Sequence, residues 1–113
     1  KNEKQVDDRM KLESRISSES GIRQQVLDEI ISLAVKYGVK RVELFGSRAR
    51  GDYKRASDID LAVRGGDIPR FRLDIEEETS TLLKFDIVDL DSQMQDELRE
   101  SIRREGKVLY EKV

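Results

Sequence analysis

The sequence contains no cysteine and no histidine. The first absence excludes disulfides, thiolate metal sites and cysteine nucleophiles. The second removes imidazole ligands and the commonest general base. No apolar run approaches the ~20 residues of a membrane span, and the charged N-terminus lacks the apolar stretch of a signal peptide. A soluble cytoplasmic protein with no membrane partner is expected. Charge of one sign is lacking too: 22 Lys and Arg face 24 Asp and Glu, a net charge of −2. The chain has no general pull on nucleic acid, so a nucleic-acid partner is not expected. Any chemistry must come from carboxylates, hydroxyls, Lys, Arg, backbone amides or a borrowed metal.

What is present fits one domain. The 113 residues are of single-domain size. The chain begins at Lys1 rather than Met, and sequence upstream of it is expected. Residues 1–20 are dense in charge, with Val6, Met10 and Ile16 as a thin apolar stripe, and read as a charged arm or solvated helix. Residues 21–113 read as the domain proper.

From Ile22 the apolar period becomes helical: Ile22, Val26, Ile30, Leu33, Ala34 and Tyr37 share a face. Ser20 is placed to cap that helix and Gly38 to end it. Val39 to Phe45 reads as a strand, Gly46 to Ser57 as a loop or a loop with one helical turn, and Asp58 to Val63 as a second strand. Ile68, Phe71, Ile75, Thr79 and Leu82 share the face of another helix, with Pro69 suited to its first turn. Its acidic side chains Asp74, Glu76, Glu77 and Glu78 read as the wet side. Phe85 to Leu90 is a third strand. Ser92 to Gln95 has the form of a capping box, followed by Met94, Leu98 and Ile102 at helical steps and by Gly106. Val108 to Tyr110 closes the chain as a short strand or edge contact. The expected fold class is α/β (α+β), a small mixed β-sheet of three to four strands flanked by helices.

The chemistry concentrates in Leu44-Phe45-Gly46-Ser47-Arg48-Ala49-Arg50-Gly51 and in Ser57-Asp58-Ile59-Asp60-Leu61. Alternation along a strand sends Asp58 and Asp60 to one side and Ile59, Leu61 and Val63 to the other. Two adjacent carboxylates repel unless a cation lies between them. A divalent ion such as Mg²⁺, which takes carboxylates together with phosphate oxygens and water, is a natural solution. Gly46 lets the backbone turn tightly, and Ser47 offers a hydroxyl and an N–H where a helix could begin. Arg48, Arg50, Lys54 and Arg55 crowd beside this turn; for Arg48, Lys54 and Arg55 a solvated face weighs as much as ligand contact. Tyr37, Tyr53 and Tyr110 read as packing residues. A third carboxylate from the next strand would help hold metal, and Asp86 and Asp89 offer themselves on opposite faces.

Gly46-Ser47, Ala49-Arg50-Gly51 and Ser57-Asp58-Ile59-Asp60-Leu61 resemble the signature of polymerase-beta-like nucleotidyltransferases. The short length and the closing Ile102–Tyr110 stretch resemble the minimal nucleotidyltransferases. The resemblance implies the polymerase-beta-like fold, with Gly46 and Ser47 holding the terminal phosphates of a nucleoside triphosphate. It implies Asp58, Asp60 and Asp86 as catalytic metal ligands, Asp86 being favoured over Asp89, and Arg50 as a phosphate contact or a brace of the loop. It implies two Mg²⁺ ions, ATP as substrate, and transfer of AMP to a hydroxyl. Asp86 could also take the hydroxyl's proton. Minimal members are commonly antitoxins that modify a tyrosine of a HEPN-type toxin partner. A non-catalytic antitoxin acting by contact and a small-molecule (antibiotic-type) transferase are the alternatives. A homo-oligomer, paired through the arm or a sheet edge, stays open.

Overall fold

The computed structural model describes residues 14–113. The start of the arm, 1–13, lies outside the described residues. Its end does not behave as solvated chain: 14–20 form a helix (α1) whose Ile16, 4% exposed, joins the main apolar core. After it come α2 (Gln24–Lys36), β1 (Arg41–Phe45), α3 (Ser47–Arg50), β2 (Ile59–Arg64), α4 (Ile68–Glu78), β3 (Phe85–Asp89), α5 (Asp96–Glu105) and β4 (Lys107–Glu111).

The four strands form one mixed sheet in the order β3-β2-β1-β4. β1 runs antiparallel to both β2 and β4, and β2 runs parallel to β3. The parallel pair is joined through α4, as a crossover requires. Ile59, Leu61 and Val63 share a core with Val26, Leu27 and Ile30 of α2 and Phe71 and Ile75 of α4. The opposite face is covered as well. There Phe45 and Ala62 pack with Ile102 and Leu98 of α5. The sheet is therefore sandwiched, and the strand positions that carry Asp60 line the α5 side.

Three local expectations are corrected. Ser20 does not cap α2. It ends α1, its buried hydroxyl accepts the Ile22 N–H at 3.2 Å, and α2 starts only after the turn, at Gln24. Such short-range side-chain bonds compete with capping geometry. The Ser92 capping box does not form: Ser92 donates to the Asp89 carbonyl at 2.7 Å, and α5 begins at Asp96, with Asp96 and Glu97 in its first turn. Acidic residues there favour the helix through its dipole instead. Leu82 is not on the buried face of α4. That helix stops at Glu78, Thr79 is extended, and Leu82 is 104% exposed. Asp67 caps α4, accepting the Arg70 N–H at 3.2 Å, with Pro69 in the first turn.

Candidate active site

One end of the sheet gathers the predicted residues. There β1 ends at Phe45, β2 and β3 begin, and α5 ends at Glu105. Phe45 is the register partner of Asp60 on one side, and Asp86 is its partner on the other. Asp86 and Asp60 therefore sit side by side on the same face of adjacent strands. Asp89 pairs with Val63 near the far end of the sheet. It lines a separate groove with Ile68, Arg72, Met94 and Leu98. Asp58 precedes β2 and is exposed, so it reaches the site from the end of the loop rather than from within the strand.

Gly46 turns the chain directly beneath Asp60. Its φ is +77°, and a Cβ there would lie 2.1 Å from Asp60 Oδ2. Both facts demand glycine: the backbone is left-handed, and the carboxylate occupies the side-chain space. Ser47 begins α3, a single turn of four residues, so a helix macrodipole adds little here. The Ser47 hydroxyl makes no hydrogen bond among the described residues.

Burial, followed by the charges of Asp86 and then Asp58, pushes the Asp60 carboxyl up to about 6; Arg50 acts in the opposite sense. Among the described residues none of Asp58, Asp60 and Asp86 has a cationic partner in direct contact or a hydrogen bond. Three neighbouring carboxylates without a cation form a donor set suited to a hard divalent ion. As placed, no three acidic side chains among the described residues form a closed metal cage. A Mg²⁺ ion here would need phosphate oxygens and water to complete its shell beside one or two of these carboxylates.

The cationic cluster separates into two roles. Arg50 is exposed and lies between Asp52 (Nε to Oδ2, 3.2 Å) and Glu105 (Nη1 to Oε1, 3.1 Å). Arg48 is 2% exposed. It donates to the carbonyls of Ser57 at 3.0 Å, Ser20 at 2.9 Å, Arg55 at 3.1 Å and Lys54 at 3.5 Å. Its guanidinium also lies 4.7 Å from the centre of the Tyr53 ring. It takes part in no ion pair among the described residues. The expectation that Arg48 belongs to an open cationic patch is corrected: it staples the loop before Asp58 to the end of α1. Tyr53 packs as expected. Lys54 and Arg55 are exposed.

Sequence reasoning missed Glu105. It closes α5, and its side chain is 12% exposed. Its Oε1 accepts from the Gly46 N–H at 3.3 Å and from Arg50. Nothing in a helix-terminal Arg-Arg-Glu-Gly run marks it, because its partners lie 59 and 55 residues away.

The chain is similar to known proteins. "Putative protein adenylyltransferase MJ0604" of Methanocaldococcus jannaschii is 37% identical over 81 residues, covering 64% of this chain and 79% of that protein. "Putative protein adenylyltransferase MJ0435" of the same organism is 39% identical over 59 residues, covering 47% of this chain and 63% of that protein. The chain thus spans less than two thirds of the length of this second relative. A crystal structure of a toxin-antitoxin with AMP-PNP superposes with a TM-score of 0.61 and 30% identity, over 76% of this chain and 73% of that one. The family described as "Polymerase beta, Nucleotidyltransferase" matches residues 28–113, a span that holds the glycine turn and all three acids. With that match covering most of the chain and the acids set around the turn, the chain belongs to the polymerase beta nucleotidyltransferase family.

Proposed function

We propose that the protein transfers a nucleoside monophosphate, AMP from ATP, to a hydroxyl on a protein partner, and that it serves as the antitoxin of a toxin–antitoxin pair. The observation that carries the reading is the Asp60 carboxylate packed on the Gly46 turn, with Asp86 beside it in register and Asp58 acting on it electrostatically. The names of the two Methanocaldococcus relatives and the toxin-antitoxin structure with AMP-PNP support it. The acceptor is a tyrosine of a HEPN-type toxin.

In this reading Asp58 and Asp60 hold Mg²⁺, two ions in all, with Asp86 as the third ligand. When bound, the metal supplies Lewis-acid stabilisation of the charge that develops on phosphate oxygens. The chain's own residues do the rest. The Gly46 and Ser47 amides and the Ser47 hydroxyl hold the terminal phosphates, and Arg50 contributes charge from one side. The acceptor oxygen attacks the α-phosphorus and the bond to the bridging oxygen breaks. Pyrophosphate leaves, and the hydroxyl proton passes to an Asp86 carboxylate oxygen, since no imidazole is present.

The test is transfer of label. The protein is incubated with ATP labelled on the α-phosphate, Mg²⁺ and its genomic-neighbour protein, beside an Asp58→Ala/Asp60→Ala variant. Label on the neighbour only with intact acids supports the proposal. Inhibition of the neighbour without label points to an antitoxin acting by contact. Label only on added small hydroxyl compounds points to a small-molecule transferase.

A further inference from the structure

Glu105 occupies the donors that the proposed reaction assigns to phosphate. Its Oε1 accepts from the Gly46 amide and, at the same time, from the Arg50 guanidinium. A carboxylate oxygen shared by a backbone N–H and a guanidinium reproduces the contacts of a phosphate oxygen. The side chain is mostly shielded from water, and it adds negative charge beside Asp60. A phosphate oxygen cannot take the single Gly46 N–H while Glu105 holds it, and it meets Glu105 as a competitor at Arg50 Nη1.

We propose that Glu105 is a resident anion at the phosphate turn, a competitor that incoming nucleotide must displace; the proposal rests on the phosphate role given above to Gly46 and Arg50. The Glu105 side chain releases the Gly46 amide and Arg50 when the terminal phosphates arrive. Until then it keeps the amide satisfied and the exposed arginine in place, which avoids leaving a half-buried donor without a partner. The arrangement lowers apparent nucleotide affinity by the fraction of molecules in which the donors are free. The anion is covalently tethered to the α5–β4 junction, because Glu105 ends α5 and β4 starts two residues later at Lys107. Nucleotide occupancy and the seating of that junction are therefore linked.

The same geometry provides an internal control. Asp52 pairs with Arg50 from the other side, through Nε, and does not touch the Gly46 amide. Asp52→Asn removes one negative charge beside Arg50 and leaves the amide occupied. Glu105→Ala removes one negative charge and empties the amide. General charge repulsion predicts equal effects from the two, whereas displacement predicts a difference.

The experiment is equilibrium binding of inorganic tripolyphosphate, without metal, to the full chain and to Glu105→Ala, Glu105→Gln and Asp52→Asn. Circular dichroism confirms that each variant is folded. Glu105→Ala is expected to tighten binding by about tenfold, and Asp52→Asn by less than about threefold. The excess of Glu105→Ala over Asp52→Asn should persist at high salt, because direct competition is not screened as a distant charge is. Unchanged or weaker binding by both Glu105 variants, or an equal gain from Asp52→Asn, overturns the resident anion and leaves the phosphate turn intact. Absence of tripolyphosphate binding by all four proteins overturns the phosphate role of the turn, and the resident anion with it.

Discussion

The Asp60 carboxylate rests on Gly46, filling the space that a side chain at position 46 would need. The two residues are 14 positions apart in sequence, and the pairing of β1 with β2 brings them together, since Phe45 and Asp60 are register partners. Gly46→Ala therefore carries two penalties. The left-handed φ costs about 1–3 kcal/mol for a residue with a Cβ, and the Asp60 carboxylate must move off the turn. The expected outcome is a lower melting temperature together with loss of nucleotidyl transfer, read by thermal denaturation and by the label assay.

Asp60→Asn is expected to separate stability from activity. The Asp60 carboxyl is pushed up to about 6 by burial and by Asp86 and Asp58. A carboxyl that holds its proton more tightly when folded favours the fold below the ordinary aspartate value of about 4. That contribution is lost as pH rises to about 6. Above that pH, without metal, Asp60→Asn should be more stable than the parent by about 1 kcal/mol after solvent screening. The gain should shrink as the pH is lowered toward 4. Mg²⁺ should raise the melting temperature of the parent but not of the variant. Denaturant titrations at pH 5 and pH 8 check the first statement, and thermal unfolding with and without Mg²⁺ checks the second.

Asp86 and Asp89 are expected to behave oppositely. Asp86→Ala removes the carboxylate in register with Asp60, and transfer should fall by about 100-fold or more, the scale of a lost proton acceptor. Asp89→Ala acts near the other end of the sheet, where its Oδ1 accepts the Asp91 N–H at 2.9 Å. Transfer should stay within about threefold, with a small loss of stability from that turn bond. Initial rates with both variants decide the matter.

Arg48 should matter for folding more than its place in a basic stretch suggests. Arg48→Met removes the guanidinium donor from the Ser20, Arg55 and Ser57 carbonyls and is expected to cost about 3 kcal/mol. Arg48→Lys should recover only part of that, because an ammonium cannot reproduce the planar fork that reaches Ser20, Arg55 and Ser57 together. Urea unfolding measures the loss. Hydrogen exchange at Ser57, whose N–H donates to the Lys54 carbonyl, should speed up in both variants.

The element order was legible because it depends on short-range periodicity, whereas alternation places only Asp60 on β2, Asp58 lying just before that strand. Alternation in 59–63 separates core from site, and the glycine turn falls directly after a strand. Asp86 was preferred to Asp89 through the family resemblance; its position beside Asp60 depends on the β2–β3 register, which strand alternation alone does not contain. Arg48 and Glu105 were illegible for a different reason. Each is a charged residue in a charged neighbourhood, and its role is set by partners far along the chain: the Ser20 carbonyl for one, the Gly46 amide for the other. Ser20, Ser92 and Leu82 misled because a helix end is decided by where the chain must turn toward its next packing partner. A cap-like residue a few positions early is left to bond something else.

The register of β2 has a consequence for how readily this site can be altered. Shifting that strand by one position would drive Asp60 into the oily side occupied by Leu61 and Val63, and would move those residues to the α5 side in turn. Such a misalignment penalises itself heavily, whichever polar groups stand at 58 and 60. The scaffold therefore holds its alignment independently of the acids it presents, and the acids can be exchanged for other polar residues without asking the chain to refold.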